Sequence, residues 1–375
     1  MIELILLGVV AGSLVSLLPG MHPNNFMPLL AMLPLAEASL FFFVVPFSIA
    51  SVFSSFIPSI LLGAPSSETA LAVLPGHKML RQGRGYTAIV LCLAGGLVSI
   101  VSLFILLPFI ASLLPVLYPP LSPLIAIVLA AVLAWLLLSN RFASVILVMS
   151  ASLGMMTFSQ NTLLPLLSGF FGVSTLMMSL RRAQTVPLQP PVFLPRISAW
   201  DAVRSGFAAS LFASFFGLLP GVSSSISATV ARFLGRLHAE EFLVMLGATN
   251  TAYMLYSFYA FSLLGIVRSG SVAALQSEYN VFMAAGAILL AGGLSFLLCR
   301  WLAGRAVKVV SWVDYRYLTA FSLAFLVAVN AVLGGFYGLV VLFASSSLGI
   351  LCASLGVKRI NCMAALIVPA IAGIL

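Results

Sequence analysis

Four polar motifs interrupt an otherwise apolar chain, and they carry most of the side chains that could bind a ligand. They read PGMHPNN and GAPSSET in the first half, and PGVSSSIS and GATNT in the second half. Each combines a helix-breaking Gly or Pro with hydroxyl or amide groups, which donate hydrogen bonds. The candidate binding residues are Gly20, His22, Asn24, Asn25, Gly63, Ser66, Ser67, Thr69, Gly221, Ser223, Ser224, Ser225, Gly247, Thr249, Asn250 and Thr251.

Broken helices of this kind are typical of anion sites inside membranes. Irregular backbone at membrane depth must be buried in protein or line a wet cavity, so four such motifs predict one central cavity. Where a half-helix begins after a break, free N–H groups and the positive end of the helix dipole face that cavity. The motifs therefore predict a midplane site for a small anion. The alternative is that they only kink packed helices, with Ser and Thr bonding to local carbonyls.

A few ionisable residues lie close to these motifs. Glu68 is the one acid that the sequence places near the membrane interior, where it could couple transport to H⁺ or Na⁺ or simply cap a half-helix. His22 could relay a proton or form a structural hydrogen bond. Arg84, in the basic loop HKMLRQGRGY, could gather anions or anchor the loop in the cytoplasm, and Arg268 could gather anions beside GATNT.

Composition excludes soluble enzymes and nucleic-acid-binding proteins. Only 7% of the 375 residues are charged and 62% are apolar, whereas soluble domains carry about 25% charged residues. The chain is therefore predicted to be an integral membrane protein despite its net charge of +9. It has no HExxH, GxSxG or Walker motif and no CxxC pair, so no catalytic residue, metal site or cofactor is predicted.

Hydropathy predicts an all-α polytopic fold of about ten full spans arranged as two repeats. The repeats are residues 1–182 and 200–375, each with a re-entrant or broken-helix hairpin plus about five transmembrane helices, and a proline-rich linker at 183–199 joins them. Gly63 precedes Arg84 by 21 residues, and Gly247 precedes Arg268 by the same 21. The last four spans are expected near 280–303, 310–333, 336–356 and 360–375.

The distribution of basic residues predicts that the repeats are inverted. One topology places sixteen of the 17 Lys and Arg residues in the cytoplasm and only Arg268 outside. It makes the protein a multi-pass cell-membrane protein with both termini external. The first half is longer between its breaks, with 43 residues from Gly20 to Gly63 against 26 from Gly221 to Gly247. An extra span there would make the repeats parallel.

Three stretches carry a resemblance to a known family. They are LLPGMHPNNFMPLLAMLPL at 17–35, SSFIPSILLGAPSSETALAVLPGHKMLRQGRGYTAI at 54–89 and LLPGVSSSISATVARFL at 218–234. These resemble the TctA family, the large membrane subunit of tripartite tricarboxylate transporters, and most of all its compact single-component members from archaea. The resemblance implies a membrane-embedded transporter of two repeats with an anion bound at the Pro-Gly motifs.

The leading functional interpretation is a secondary transporter that moves a small carboxylate-type anion by alternating access. A second is a translocase of polyprenyl phosphate, because PGVSSSIS is similar to the PGVSGG-like motif of such lipid-carrier proteins. A third is a scaffold subunit with a solidly packed core. The expected partners are the substrate and the lipid bilayer, with no nucleic acid. The sequence leaves homo-oligomerisation and companion transporter subunits open.

Overall fold

A computed structural model describes most of the chain. The described residues are 1–18, 23, 26–30, 32, 36–62, 68–69, 72–121, 124–157, 162–180, 189–216, 238–267, 269–275, 279–309 and 315–373. Across these residues the regular structure is helical, and they include no strand. The predicted all-α class is therefore confirmed for this part of the chain.

The helices differ widely in length. The first eight are α1 (Ile2–Val15), α2 (Met27–Leu30), α3 (Glu37–Ser54), α4 (Phe56–Leu62), α5 (Val73–Arg81), α6 (Gly85–Leu121), α7 (Ile125–Leu137) and α8 (Ala143–Thr157). The others are α9 (Leu163–Leu167), α10 (Ser174–Ser179), α11 (Ala199–Phe216), α12 (Ala239–Leu264), α13 (Gly270–Ala273), α14 (Val281–Val309), α15 (Tyr315–Ser354) and α16 (Ala364–Ile371). A π-helical turn at Ser168–Val173 joins α9 to α10, and a 3₁₀ turn at Arg359–Met363 precedes α16.

Among the described residues, four helical stretches are long and apolar enough to cross a membrane. They are Glu37–Leu62, Gly85–Pro120, Val281–Val309 and Thr319–Ser354. Shorter apolar helices accompany them. This supports the membrane class, while the number of spans and the inversion of the repeats stay predictions.

Helix α15 has a sharp bend at Gly335. Its φ of 57° and ψ of −154° lie in a region that residues with a Cβ avoid. The sequence predicts a boundary between two spans at residues 333–336, and this is the point where the helical geometry fails.

The described residues fall into two compact units by contact. One unit comprises Met1–Leu113, Ala183–Leu218 and Ser223–Tyr315, and the other includes Leu114–Arg182 and Arg316–Leu375. Each unit therefore combines segments from both halves of the sequence. The predicted repeat boundaries at 182 and 200 describe the order of segments along the sequence. The division into contacting units does not test them, so they stay predictions.

In the first unit, glycines bring helix backbones together. A Cβ on Gly12 of α1 would lie 2.1 Å from the carbonyl oxygen of Phe47 on α3, and Ser51 donates a 3.1 Å hydrogen bond to Gly12 O. Helix α14 also packs on α1 and α3, with Ser13 Oγ 3.7 Å from Cys299 Sγ. Small residues at such crossings are typical of helix packing in membranes.

In the second unit, too, glycines allow close contacts between helices. A Cβ on Gly154 of α8 would lie 2.1 Å from Ala365 O on α16. In the π-helical turn, a Cβ on Gly169 would lie 1.9 Å from Ser345 Oγ of α15. That hydroxyl donates to Pro165 O at 3.0 Å. Close glycine contacts thus hold the helices of this unit against one another.

The predicted helix break at GATNT is wrong. Residues Gly247 to Thr251 lie in the middle of α12, which runs without interruption from Ala239 to Leu264. A capping box at His238 begins the helix, and Gly265, with a φ of 69°, ends it. The backbone N–H groups of GATNT are therefore engaged within the helix and do not form a half-helix terminus.

Candidate functional site

The structure describes seven of the residues that the sequence singles out: Glu68, Thr69, Arg84, Gly247, Thr249, Asn250 and Thr251. The others lie outside the described residues. These are Gly20, His22, Asn24, Asn25, Gly63, Ser66, Ser67, Gly221, Ser223, Ser224, Ser225 and Arg268. The site can therefore be built from the end of GAPSSET, the helices around that motif, and GATNT.

The two helices that flank GAPSSET pack against each other. Helix α4 ends at Leu62 and α5 begins at Val73. A Cβ on Gly76 of α5 would lie only 2.9 Å from Ile60 Cγ1 of α4, so a residue larger than glycine would push the pair apart. The helices on either side of the motif are therefore in close contact.

A pair of buried hydroxyls ties the end of GAPSSET to α4. Ser59 Oγ lies 2.6 Å from Thr69 Oγ1, and Ser59 Oγ also donates to Ser55 O at 2.6 Å. Because a serine hydroxyl has a single proton, Thr69 is the donor within the pair. Thr69 therefore positions the motif, and the preceding Glu68 is half-buried beside this anchor.

GATNT lies where three helices of the first unit meet. A Cβ on Gly247 would lie 1.9 Å from Cys92 O of α6, so this glycine serves close helix packing. Thr249 Oγ1 donates to Met245 O within its own helix at 2.8 Å. A Cβ on Gly96 of α6 would lie 2.8 Å from Thr251 Oγ1 and 2.9 Å from Phe53 Cζ of α3. Gly96 of α6 therefore faces both Thr251 of α12 and Phe53 of α3.

Helices associated with motifs from the two halves are in contact. Helix α12, which carries GATNT, contacts both α3 and α5. Helix α3 continues into α4 through Ser55, and α5 follows GAPSSET. Asn250 of α12 is buried, so its amide is available only to groups inside the protein. The first unit thus packs the helix that carries the second-half motif against α3, which leads into α4, and against α5, which follows the first-half motif.

Arg84 forms a mostly buried ion pair. Its Nη2 donates to Glu240 Oε1, and the two side chains are 14% and 7% exposed. The same nitrogen donates to Leu194 O at 2.6 Å. The other carboxylate oxygen, Oε2, accepts from Arg196 N at 2.6 Å. This arrangement favours a structural role for Arg84, and its gathering of anions stays a prediction.

Further bonds hold residues 189–197, which we call the strap, against the start of α6. Gln189 Oε1 accepts from Gly85 N at 2.9 Å, and Gln189 Nε2 donates to Leu80 O at 2.8 Å. Thr87 Oγ1 donates to Val192 O at 3.2 Å and accepts from Leu194 N at 3.1 Å. The strap belongs to the predicted linker and is firmly bonded.

Sequence reasoning missed Glu240 and Gln189. The partners Arg84 and Glu240 are 156 residues apart, so no local pattern connects them. One available signal was scarcity, because the chain has only 8 acidic residues. An acid in so apolar a chain needs a partner or a water-facing position.

The basic segment HKMLRQGRGY begins within α5 and contains a histidine with a lowered pKa. His77 lies on α5, which is too short to cross a membrane. Burial and the neighbouring positive charge of Arg81 lower the pKa of His77 below its ordinary value. Both effects disfavour the imidazolium, so the folded protein favours the neutral form of His77.

The described residues define a polytopic helical membrane protein with tightly packed helices and a buried polar motif, GATNT, in α12. The family model "Tripartite tricarboxylate transporter TctA family" matches residues 2–364, so the chain belongs to this family. The resemblance carried by the Pro-Gly motifs is thereby confirmed. Members of the family are transporter components of the membrane, and the protein is accordingly a membrane transport protein.

A curated relative matches nearly the whole chain. It is "Uncharacterized protein MJ1079" from Methanocaldococcus jannaschii, 26% identical over 395 residues, covering 98% of this chain and 97% of the relative. No solved structure matches the chain. The similarity therefore extends over the full length of both proteins and includes both motif-bearing halves.

Proposed function

We propose that this protein is the membrane-embedded permease for a small carboxylate-type anion and works by alternating access. The observation that carries the proposal is the contact of α12 with α3 and α5. It packs the helix that carries GATNT against α5, which follows GAPSSET, and against α3, which leads into α4. Family membership supplies the transport class, and this contact between helices from the two halves supports one central site.

The corrected geometry of GATNT changes how that site would bind an anion. Its backbone N–H groups are engaged inside α12, so α12 would contribute the Asn250 amide and not a helix terminus. The free N–H groups would come from the half-helix starts near Ser66 and Ser67 and near Ser223 and Ser224. Those residues lie outside the described part of the chain.

Glu68 is the proposed coupling residue. It is half-buried and directly precedes Thr69, which is bonded to Ser59. Protonation of Glu68, or Na⁺ binding to it, would remove a negative charge beside an incoming anion. Because Thr69 anchors this segment to α4, a change at Glu68 would be transmitted to the hairpin.

The family name supports companion subunits and an anionic substrate. We infer that a tricarboxylate or a related carboxylate is carried. The compact chain also permits a single-component transporter or a homo-oligomer. Translocation of polyprenyl phosphate is the competing activity, and it predicts a lipid substrate for the same motifs.

Substitution of Asn250 tests the proposed site. In proteoliposomes with an imposed proton or sodium gradient, Asn250→Ala is expected to lower the apparent affinity for citrate or succinate by about tenfold, since one hydrogen bond to a charged group contributes roughly 1.5 kcal/mol or more. Ser257→Ala is the matched control, because Ser257 is buried on the same helix and donates only to Tyr253 O at 3.0 Å. Equal affinities for the two variants would contradict the proposed site.

A further inference from the structure

An open pocket of about 430 Å³ lies on the first unit, beside the strap and away from GATNT. Its lining residues are Tyr86, Pro191, Leu297, Arg300, Trp301, Gly304, Arg305 and Lys308. Most of them belong to the last part of α14, whereas Tyr86 begins α6 and Pro191 belongs to the strap. None of the lining residues is acidic, so the pocket is strongly basic.

The residues of α14 that line the pocket form one face of the helix. Leu297, Trp301 and Arg305 follow one another at four-residue spacing, and Lys308 follows three residues later. Side chains at these spacings lie above one another on a helix. The face is directed outwards, since Leu297 is 64% exposed and Trp301 is 55% exposed.

Two of the cationic side chains in the pocket contact its aromatic residues. The guanidinium of Arg305 lies over the Trp301 ring, 4.7 Å from its centroid. Arg300 Nε donates to Tyr86 Oη at 3.4 Å. These contacts leave most of the N–H donors of both guanidinium groups open to a ligand. An Arg fork of this kind is suited to a phosphate group.

Polarity changes along the helix in the way that it changes across a membrane leaflet. Helix α14 carries no charged residue from Val281 to Cys299, and all three of its charges lie between Arg300 and Lys308. Exposed leucines, such as Leu290, precede the cations. Trp301 stands at the transition, the position that tryptophan favours at membrane interfaces.

We propose that this pocket binds the headgroup phosphate of an anionic phospholipid. Arg300, Arg305 and Lys308 would neutralise the phosphate, and the acyl chain would lie along the exposed leucines of α14. Cations at a helix C-terminus also complement the helix dipole, but the dipole alone explains neither the concave pocket nor the stacked Trp301. Basic pockets between transmembrane helices are suited to such headgroups.

Native mass spectrometry of the detergent-purified full chain tests the proposal. Phosphatidylglycerol is expected to remain bound to the wild-type protein, and phosphatidylcholine much less. The double variant Arg305→Gln, Lys308→Gln should reduce phosphatidylglycerol binding by roughly 30-fold, given about 1 kcal/mol for each of the two basic residues near an anionic lipid surface. Arg141→Gln is the matched control, because Arg141 is also exposed and stacks on Phe142 at 4.7 Å.

Three results would overturn the proposal. They are unchanged phosphatidylglycerol binding in the double variant, an equal loss in Arg141→Gln, or displacement of the lipid by millimolar inorganic phosphate, which would indicate a site for a free anion. Unfolding temperatures without added lipid verify that the variants fold. The readout is binding and not uptake, so the result is independent of the proposed transport function.

Discussion

The ion pair between Arg84 and Glu240 is the residue-level feature that most constrains the protein. It joins the residue before α6 to the first turn of α12. Glu240 also accepts from Arg196 N and Ile197 N of the strap. A carboxylate can accept all of these bonds, because both of its oxygens are acceptors. An amide has one oxygen and would present its NH₂ group to donors on one side.

Glu240→Gln is therefore expected to destabilise the protein by about 3 kcal/mol, the cost of removing one partner from a buried ion pair. The measurement is the shift of the thermal unfolding midpoint in detergent. Glu241→Gln is the control, because Glu241 lies 3.9 Å from the exposed His238 imidazole and accepts from His238 N at 3.2 Å, a capping bond that glutamine retains. Similar midpoints for the two variants would contradict the structural role of the Arg84–Glu240 pair.

The lowered pKa of His77 predicts the direction in which the protein's stability changes with pH. Its folded-state pKa is lowered by burial and by Arg81, so the folded state prefers the neutral imidazole. This contribution to stability is present above the unfolded pKa of about 6.5 and is lost as the pH falls through the lower folded pKa. The unfolding midpoint should therefore drop as the pH falls below about 6.5, the pKa of histidine in the unfolded chain.

The variant His77→Gln should flatten that part of the pH profile, because glutamine does not titrate. His238→Asn is the comparison, since His238 is largely exposed and asparagine retains the ability to cap α12. An unchanged slope in His77→Gln would assign the pH dependence to other groups.

Among the helices, glycine placement determines how closely they approach. The crossing of α6 and α12 is the tightest near the candidate site, with a Cβ on Gly95 only 2.0 Å from Val244 O and one on Gly247 only 1.9 Å from Cys92 O. Backbone atoms cannot rotate away as side chains do. Any larger residue must therefore separate the two helices.

Gly247→Ala is expected to lower stability by about 1–3 kcal/mol, the usual cost of overpacking. Gly293→Ala is the matched control, since a Cβ on Gly293 of α14 meets nothing within 4 Å. That control should be neutral or gain up to about 1 kcal/mol from helix propensity. Thermal unfolding of both variants in detergent provides the measurement. A stable Gly247→Ala protein would show that the crossing tolerates separation.

GATNT shows what helix prediction from sequence could and could not achieve. Gly, Asn and Thr are weak helix formers, so a break inside the apolar stretch was a reasonable prediction. The motif contains no proline, and the contacts that Gly247 makes possible with α6 stabilise an unbroken α12. Tertiary packing therefore keeps α12 helical through GATNT, and local helix propensity carries no information about that packing.

At the scale of the whole molecule, composition and motifs predicted the class and the family correctly. The scarcity of charge indicated a helical membrane protein, and the stretches at 17–35 and 54–89 indicated the TctA family. Which helices pack together was not predictable, because contact between α14 and α1 joins residues from opposite halves of the sequence. Inverted orientation, the span count and the external termini stay predictions.

Uptake by purified protein in proteoliposomes tests the transport function most directly. With an imposed proton or sodium gradient, labelled citrate or succinate should accumulate in a saturable way. The accumulation should collapse when the gradient is dissipated, and Glu68→Gln should uncouple uptake from the gradient. Absence of uptake across a broad panel of carboxylates, together with flipping of polyprenyl phosphate by the same liposomes, would contradict the account and assign the protein to lipid-carrier translocation.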